Sequence, residues 1–158
     1  MALLEMEEEL NRFILAEDIV SEYVSLMRSK ARLLRMIGEF DRRNLAEECG
    51  ASSTATWLMR RLGMSESTAH EHVHVARQLE NFPYLAKMFE AGNLSYSALR
   101  LLLKYLTPEN EIELVKMGME LGYAGLECAL AGREKPGEEK ETKDCYLRVK
   151  KDEEGYLK

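Results

Sequence analysis

Apolar residues recur along most of this chain with the spacing of an amphipathic helix. Between residues 17 and 43, five of them follow one another at intervals of four and three residues: Val20, Val24, Met27, Ala31 and Leu34. This spacing places them on one stripe of a helix, and such a stripe packs inside a bundle or against a partner helix. Residues 1–16 are also amphipathic. We therefore predict a long helix over residues 17–43, preceded by an N-terminal helix over residues 1–16 that is either a separate short helix or an extension of the long one.

Residues 52–80 have the pattern of two helices joined by a tight turn. Ser52 or Ser53 can cap the first helix, and Ser65 can cap the second. Gly63 stands where the end of the first helix favours a left-handed residue. The same pattern is found in helix-turn-helix units, whose second helix reads the major groove of DNA. We predict a helix-turn-helix-like pair over residues 52–80.

Helical patterns continue beyond this pair, because Pro is rare and Gly falls at plausible helix ends. Four further helices are predicted over residues 84–90, 96–105, 108–121 and 123–131. Thr107 and Pro108 give the third of these a strong start signal, a cap followed by proline at the first helical position. Residues 1–131 are therefore expected to form one helical domain.

The composition changes after this helical domain. Residues 132–144 are charged and poor in core residues, which is typical of a linker or an exposed loop. Residues 145–158 alternate like a strand and then contain a turn, so we predict the start of a β-hairpin that the end of the chain truncates. A truncated hairpin suggests a fragment of a longer polypeptide, and a short chain with a small edge hairpin is the alternative. The predicted fold is a mainly α multi-helix bundle with a small C-terminal β-hairpin.

The charge balance of the 158-residue chain is acidic, with 22 Lys and Arg against 28 Asp and Glu and a net charge of -6. An acidic balance opposes nucleic-acid binding, but the charges are unevenly placed. The first twenty residues are acidic, and they are followed by six basic ones: Arg28, Lys30, Arg32, Arg35, Arg42 and Arg43. This basic zone could meet phosphates, and an ordinary solvated helix face is the alternative.

The cellular location follows from two features of the sequence. No apolar run approaches the ~20 residues that a membrane-spanning helix needs, so no membrane association is expected. The N-terminus is acidic, whereas signal and transit peptides carry positive charge there. A cytoplasmic, bacterial-type protein is the expectation.

The second helix of the pair carries polar side chains on the face opposite its apolar residues. Histidine and glutamine can donate hydrogen bonds to base edges, whereas Glu71 on the same face can only accept. The DNA-contact candidates on this face and at the end of the first helix are Arg60, Arg61, Ser67, His70, His74 and Gln78.

The same helix contains a literal HExxH pattern from His70 to His74. In zinc peptidases the two histidines bind the metal and the glutamate activates water, but a third protein ligand is required. No histidine exists outside this helix, and the three cysteines are far apart without a CxxC pair. We expect no cofactor, no metal and no catalytic residues, and we retain His70 and His74 only as remote metal candidates.

Several segments together resemble the domain-of-unknown-function 222 family, also called the 13E12 repeat family. The resemblance covers roughly residues 31–131, and the segments that carry it occur in order: Trp57-Leu58, Leu62-Gly63-Met64-Ser65, Val75-Ala76-Arg77, Gly92-Asn93-Leu94-Ser95-Tyr96 and Leu106-Thr107-Pro108-Glu109. Members of that family typically carry this helical domain in front of an HNH nuclease domain. The resemblance therefore implies a DNA-associated role.

Two departures from the family pattern limit what can be transferred. No histidine follows His74, so this chain lacks the residues of the HNH nuclease. The family's second motif helix is usually rich in arginine, whereas His70, Glu71 and His74 stand there in this chain. Our first hypothesis is a non-catalytic DNA-associated targeting or regulatory module of an HNH endonuclease-type protein. The alternatives are a protein-interaction or homodimerisation domain that uses the long N-terminal helix, without DNA, and, remotely, an HExxH zinc hydrolase.

Overall fold

The computed structural model describes residues 1–136, and every regular element within that range is an α-helix. In chain order these are α1 (Ala2–Arg42), α2 (Leu45–Glu48), α3 (Thr54–Leu62), α4 (Glu66–Asn81), α5 (Pro83–Glu90), α6 (Tyr96–Leu103) and α7 (Glu111–Leu130). The mainly α prediction is confirmed. The predicted hairpin at 145–158 and most of the predicted linker lie outside the described residues. None of the described helices is long and apolar enough to cross a membrane.

Residues 2–42 form one continuous helix, so the N-terminal segment is an extension of the long helix and not a separate helix. The 41-residue α1 contains no Gly or Pro before Gly38, so nothing in its backbone chemistry ends a helix near residue 16. A short helix, α2, then follows Asn44, whose left-handed conformation (φ 55°) turns the chain away from the axis of α1.

The core forms where the C-terminal half of α1 packs against α4 and α5. Met27, Ala31 and Leu34 of the predicted apolar stripe are buried there, whereas Val20 from the same stripe is 58% exposed. Helix α4 contributes the apolar face predicted for it, with Ala69, Val73, Ala76 and Leu79 buried. Gly38 allows close approach, because a Cβ added there would lie 3.1 Å from Glu80 Oε1 and 3.4 Å from the Ala76 carbonyl oxygen.

Serine caps begin three of the helices, and those at Ser53 and Ser65 were predicted from the sequence. The side chains of Ser53, Ser65 and Ser95 accept hydrogen bonds from the third main-chain N–H of α3, α4 and α6. At the end of α3, Gly63 has φ 70° and its N–H donates to the Met59 carbonyl oxygen, which closes the helix before the turn into α4.

The predicted start of the helix at Pro108 is wrong, because α7 begins at Glu111. The Asn110 side chain accepts from the Thr107 N–H at 2.7 Å and donates to the Tyr105 carbonyl oxygen at 3.2 Å, and these bonds hold the preceding residues in a turn. The predicted separation of the two last helices is confirmed, because the backbone within α7 is non-helical at Gly122 (φ 68°, ψ -174°), so that α7 consists of two helical segments joined across a kink.

Glu111 links the start of α7 to the start of α5. Its buried carboxylate accepts hydrogen bonds from the N–H groups of Tyr84 and Leu85 at 2.8 and 3.0 Å. Both donors belong to the first turn of α5, where main-chain N–H groups have no partner within the helix. A negative charge is also favoured there by the helix dipole.

Candidate nucleic-acid interface

The outer face of α4 carries most of the predicted contact residues. Ser67, His70 and His74 are exposed at intervals of three and four residues, so they lie on one side of the helix. Gln78 continues the same face one turn later but is half-buried. Helices α1, α3, α5 and α6 pack around the remainder of α4.

Glu71 does not belong to this free face, although the sequence placed it there. Its carboxylate forms an ion pair with Arg100 at 2.6 Å and accepts a hydrogen bond from the Tyr96 hydroxyl at 3.2 Å. The third histidine, His72, is buried, with its Nδ1 2.8 Å from the Thr68 carbonyl oxygen.

The contacts of Glu71 oppose a catalytic role for the HExxH pattern. The glutamate that would activate water is already engaged by α6, through Arg100 and Tyr96. The described part of the chain contains no cluster of three or more potential metal-ligating side chains. The geometry therefore offers no support for a zinc hydrolase.

Arg60 and Arg61 end α3 close to the turn that leads into α4. Both side chains are exposed, and within the described residues neither guanidinium has a hydrogen-bond or ion-pair partner. The connection to α4 is only three residues long, so these two charges stay near the first turn of α4. They are cations available for an external anion.

The basic zone of α1 is different, because most of its charges are used within the protein. Its arginines form ion pairs with carboxylates of α5, α4 and α1 itself, namely Arg35–Glu90 at 2.6 Å, Arg42–Glu80 at 3.2 Å and Arg43–Glu39 at 3.5 Å. The Arg28 Nε donates to the Ala91 carbonyl oxygen at 3.3 Å. Three of the six basic side chains of this zone therefore have carboxylate partners, so fewer of its charges are free than its sequence suggests.

Lys30 of the same zone also has a partner within the protein, because its ammonium lies over the Tyr96 ring, 3.7 Å from the ring centroid. Partial burial lowers the pKa of Lys30, and the Glu71 carboxylate opposes that shift. Burial, followed by the Glu71 charge, strongly raises the pKa of the Tyr96 hydroxyl. This polar network joins α1, α4 and α6, so its role is to hold the bundle together.

Asp41 fixes the position of α3 and α4 on the end of α1. Its carboxylate accepts from Arg77 Nε at 2.7 Å, from Arg77 Nη2 at 3.1 Å and from the Thr54 hydroxyl at 2.8 Å. The hydrogen bonds from Arg77 are the main reason why the pKa of Asp41 is lowered, and the same pairing raises the pKa of Arg77. Arg77 is exposed on the outer face of α4, but this pair holds it.

A groove of about 470 Å³ lies between α1, α4 and α5. Its floor is apolar and includes Leu79 and Phe89, while Arg35 and Arg42 on its rim are paired with Glu90 and Glu80. Because these rim charges already have partners, the groove does not present convergent free polar groups for a cofactor.

The residues that position the site were not recognisable from the sequence. Asp41 and Arg77 lie 36 residues apart, and Glu71 and Arg100 meet across two different helices. No local spacing rule connects such pairs. Arg60, Arg61, Ser67, His70 and His74, by contrast, were identified from the motif, and the structure exposes all five.

Comparison with known proteins identifies the family of this chain but not an activity. No curated protein and no solved structure matches it. The model of the family described as "Domain of unknown function (DUF222)" matches residues 22–109, which is more than half of the chain. The match spans the C-terminal half of α1, all of α2 to α6 and the turn that follows α6. The chain therefore belongs to the DUF222 family.

Proposed function

We propose that this protein is a non-catalytic, DNA-associated module that contacts DNA through α3 and α4. In this proposal the pair acts as a helix-turn-helix, with the outer face of α4 directed toward the major groove. The observation that carries it is a pair of exposed arginines, Arg60 and Arg61, which have no partner among residues 1–136 and lie beside an exposed polar face. The family resemblance adds the expectation of a targeting or regulatory role in an HNH endonuclease-type protein.

The contacts divide by chemistry. Arg60 and Arg61 would bind backbone phosphates, which supplies affinity without sequence information. Ser67, His70 and His74 would face the bases, where short polar side chains can exchange hydrogen bonds with base edges. Arg77 would remain on Asp41 and support the surface from within.

The expected binding is weak because, among the described residues, the proposed interface has only two cations without partners, Arg60 and Arg61. Two phosphate contacts correspond to a slope of about -2 for the logarithm of the association constant against the logarithm of the salt concentration. The acidic remainder of the protein further limits non-specific attraction. Binding in the micromolar range or weaker at low salt is therefore expected.

A salt-titrated anisotropy assay with a short mixed-sequence DNA duplex tests the proposal. The R60A/R61A variant should weaken binding at low salt by about tenfold or more and reduce the salt slope by about 2. The matched control is K104A/K116A, which removes the same amount of positive charge at two exposed lysines outside the proposed interface. Absence of salt-dependent binding by the unaltered protein, or equal weakening by both double variants, would reject the proposal.

The alternative function, a protein-interaction or homodimerisation domain, is favoured by a different surface. The N-terminal half of α1 exposes many large apolar side chains. Contact there and DNA contact at α4 are independent of each other.

A further inference from the structure

The first part of α1 projects beyond the packed helices, which we call the body (the C-terminal half of α1 together with α2 to α7). It also lies outside the family match. We define residues 2–21 as the arm, since the match begins at residue 22. Every residue of the arm is exposed, although α1 continues from it into the core without a break. The body gives the arm no packing partner.

An apolar stripe runs along the arm at alternating intervals of three and four residues. Its members are Leu3, Met6, Leu10, Phe13 and Val20, with Glu17 as the one polar interruption. The stripe continues in register through Val24 into the buried residues Met27, Ala31 and Leu34. The same side of α1 is therefore covered by α4 and α5 in the body and uncovered along the arm. A heptad stripe of this kind is the seam by which helices pair.

We propose that the arm pairs with the arm of a second copy of this chain as an antiparallel two-helix contact. In that arrangement Leu3 of each copy faces Val20 of the other, and Leu10 faces Phe13. Each apolar member of the stripe then meets an apolar partner, except that Met6 meets Glu17. The stripe is thus largely complementary to itself when one copy is reversed.

Charge determines the orientation. Four acidic residues cluster in the first half of the arm: Glu5, Glu7, Glu8 and Glu9. Parallel pairing would place the two clusters side by side, which costs free energy because like charges repel. Antiparallel pairing places Glu7, Glu8 and Glu9 beside the uncharged residues 14–16 of the other copy and leaves one acidic pairing, Glu5 opposite Asp18. It also puts the two helical bodies at opposite ends, where they do not collide.

The area available is sufficient for a reversible dimer. Six exposed apolar side chains per arm, the five members of the stripe and the adjacent Ile14, contribute roughly 100 Å² each. Two arms then bury about 1,200 Å², which is the lower limit for specific stable interfaces. We therefore expect dissociation in the micromolar range, with a dimer that forms more tightly at higher salt because screening reduces the repulsion between acidic arms.

Sedimentation equilibrium of the full chain, from low-micromolar to near-millimolar concentration, tests the contact. L10E places a charge in the seam and should weaken association by at least about a hundredfold. L15E is the matched control, because Leu15 is equally exposed (62% against 57% for Leu10) but lies on the opposite side of the arm. Both variants should retain the helical content and unfolding midpoint of the parent, since neither position is buried in the monomer.

A second substitution tests the same seam by gain of affinity. E17L removes the polar interruption opposite Met6 and should strengthen association by about tenfold or more. E22L removes the same charge on the other side of the helix, so it should have a much smaller effect.

Spin labels at A2C, in a C49S/C128S/C145S background that removes the three cysteines of the chain, report the orientation. Antiparallel arms hold the two labelled backbones about 28 Å apart, whereas parallel arms hold them about 10 Å apart. The proposal is overturned if the protein stays monomeric at all concentrations, if L15E disrupts association as much as L10E, or if the labels are adjacent.

Discussion

Replacing Asp41 by asparagine is expected to loosen the attachment of α3 and α4 to the end of α1. The substitution keeps the shape of the side chain but removes the charge that receives two hydrogen bonds from Arg77, at 2.7 and 3.1 Å. The buried Thr54 hydroxyl can still donate to the remaining amide oxygen. The change therefore isolates the charged contact between α1 and α4.

The magnitude follows from the exposure of the two partners. The Asp41 side chain is only 16% exposed, whereas that of Arg77 is 62% exposed and regains water when the pair is lost. Charge-assisted hydrogen bonds contribute about 1.5–3 kcal/mol when shielded, and exposed ion pairs about 0.2–1 kcal/mol. An intermediate loss of about 1.5 kcal/mol in the free energy of unfolding is expected for D41N.

Urea unfolding followed by circular dichroism measures this loss. With a denaturant slope of about 2 kcal/mol per molar urea, the D41N midpoint should fall by roughly 0.7 M at neutral pH. The E39Q variant is the control, because the exposed Glu39–Arg43 pair lies on the same helix and should contribute less than about 0.5 kcal/mol.

The dependence on pH gives a second, independent test. The pKa of Asp41 is lowered in the folded protein, so its contribution is fully present above the ordinary carboxyl pKa of about 4. The contribution is lost as the pH falls from that value through the lowered pKa. The stability difference between the parent and D41N should therefore shrink in strongly acidic solution. Equal stability at pH 7, or a difference that does not change with acidification, would refute the reasoning.

Two further substitutions test how the ends of helices are stabilised. E111A removes the acceptor for two N–H groups at the start of α5 and should lower the free energy of unfolding by about 2 kcal/mol. The control E113A, at an exposed position, should lower the free energy of unfolding by less than about 0.5 kcal/mol. Equal losses for the two variants would contradict the proposed cap. G63A should lower the free energy of unfolding by about 1 kcal/mol in thermal or urea unfolding. The cost comes from the left-handed backbone at this position (φ 70°) and not from a steric clash, because the space around a new Cβ is empty. A neutral G63A would mean that the turn between α3 and α4 adapts without cost.

The sequence by itself determined the helical class, most helix ends and the exposed face of α4. These features depend on interactions within a few residues, such as the Ser65 cap of α4 and the left-handed end of α3 at Gly63. The helical spacing of apolar positions along α4 separated most of its buried side from its outer side, with Glu71 as the exception because it pairs with Arg100 of α6. Local chemistry of this kind can be recognised without knowing the remainder of the fold.

Only the tertiary structure decided which charges are free and which are used. In the sequence, Arg35 and Arg42 looked as available as Arg60 and Arg61. Folding brings Glu90 to Arg35 and Glu80 to Arg42, whereas no residue of the described part of the chain pairs with Arg60 or Arg61. Helix α7 also begins later than the sequence predicted, because the Asn110 side chain holds the preceding residues in a turn. Partners that lie 38 to 55 residues apart are set by the packing of helices, and no periodicity along the chain specifies them. For the same reason, the apolar stripe of α1 is one pattern in the sequence, but packing divides it into a covered half and an uncovered arm.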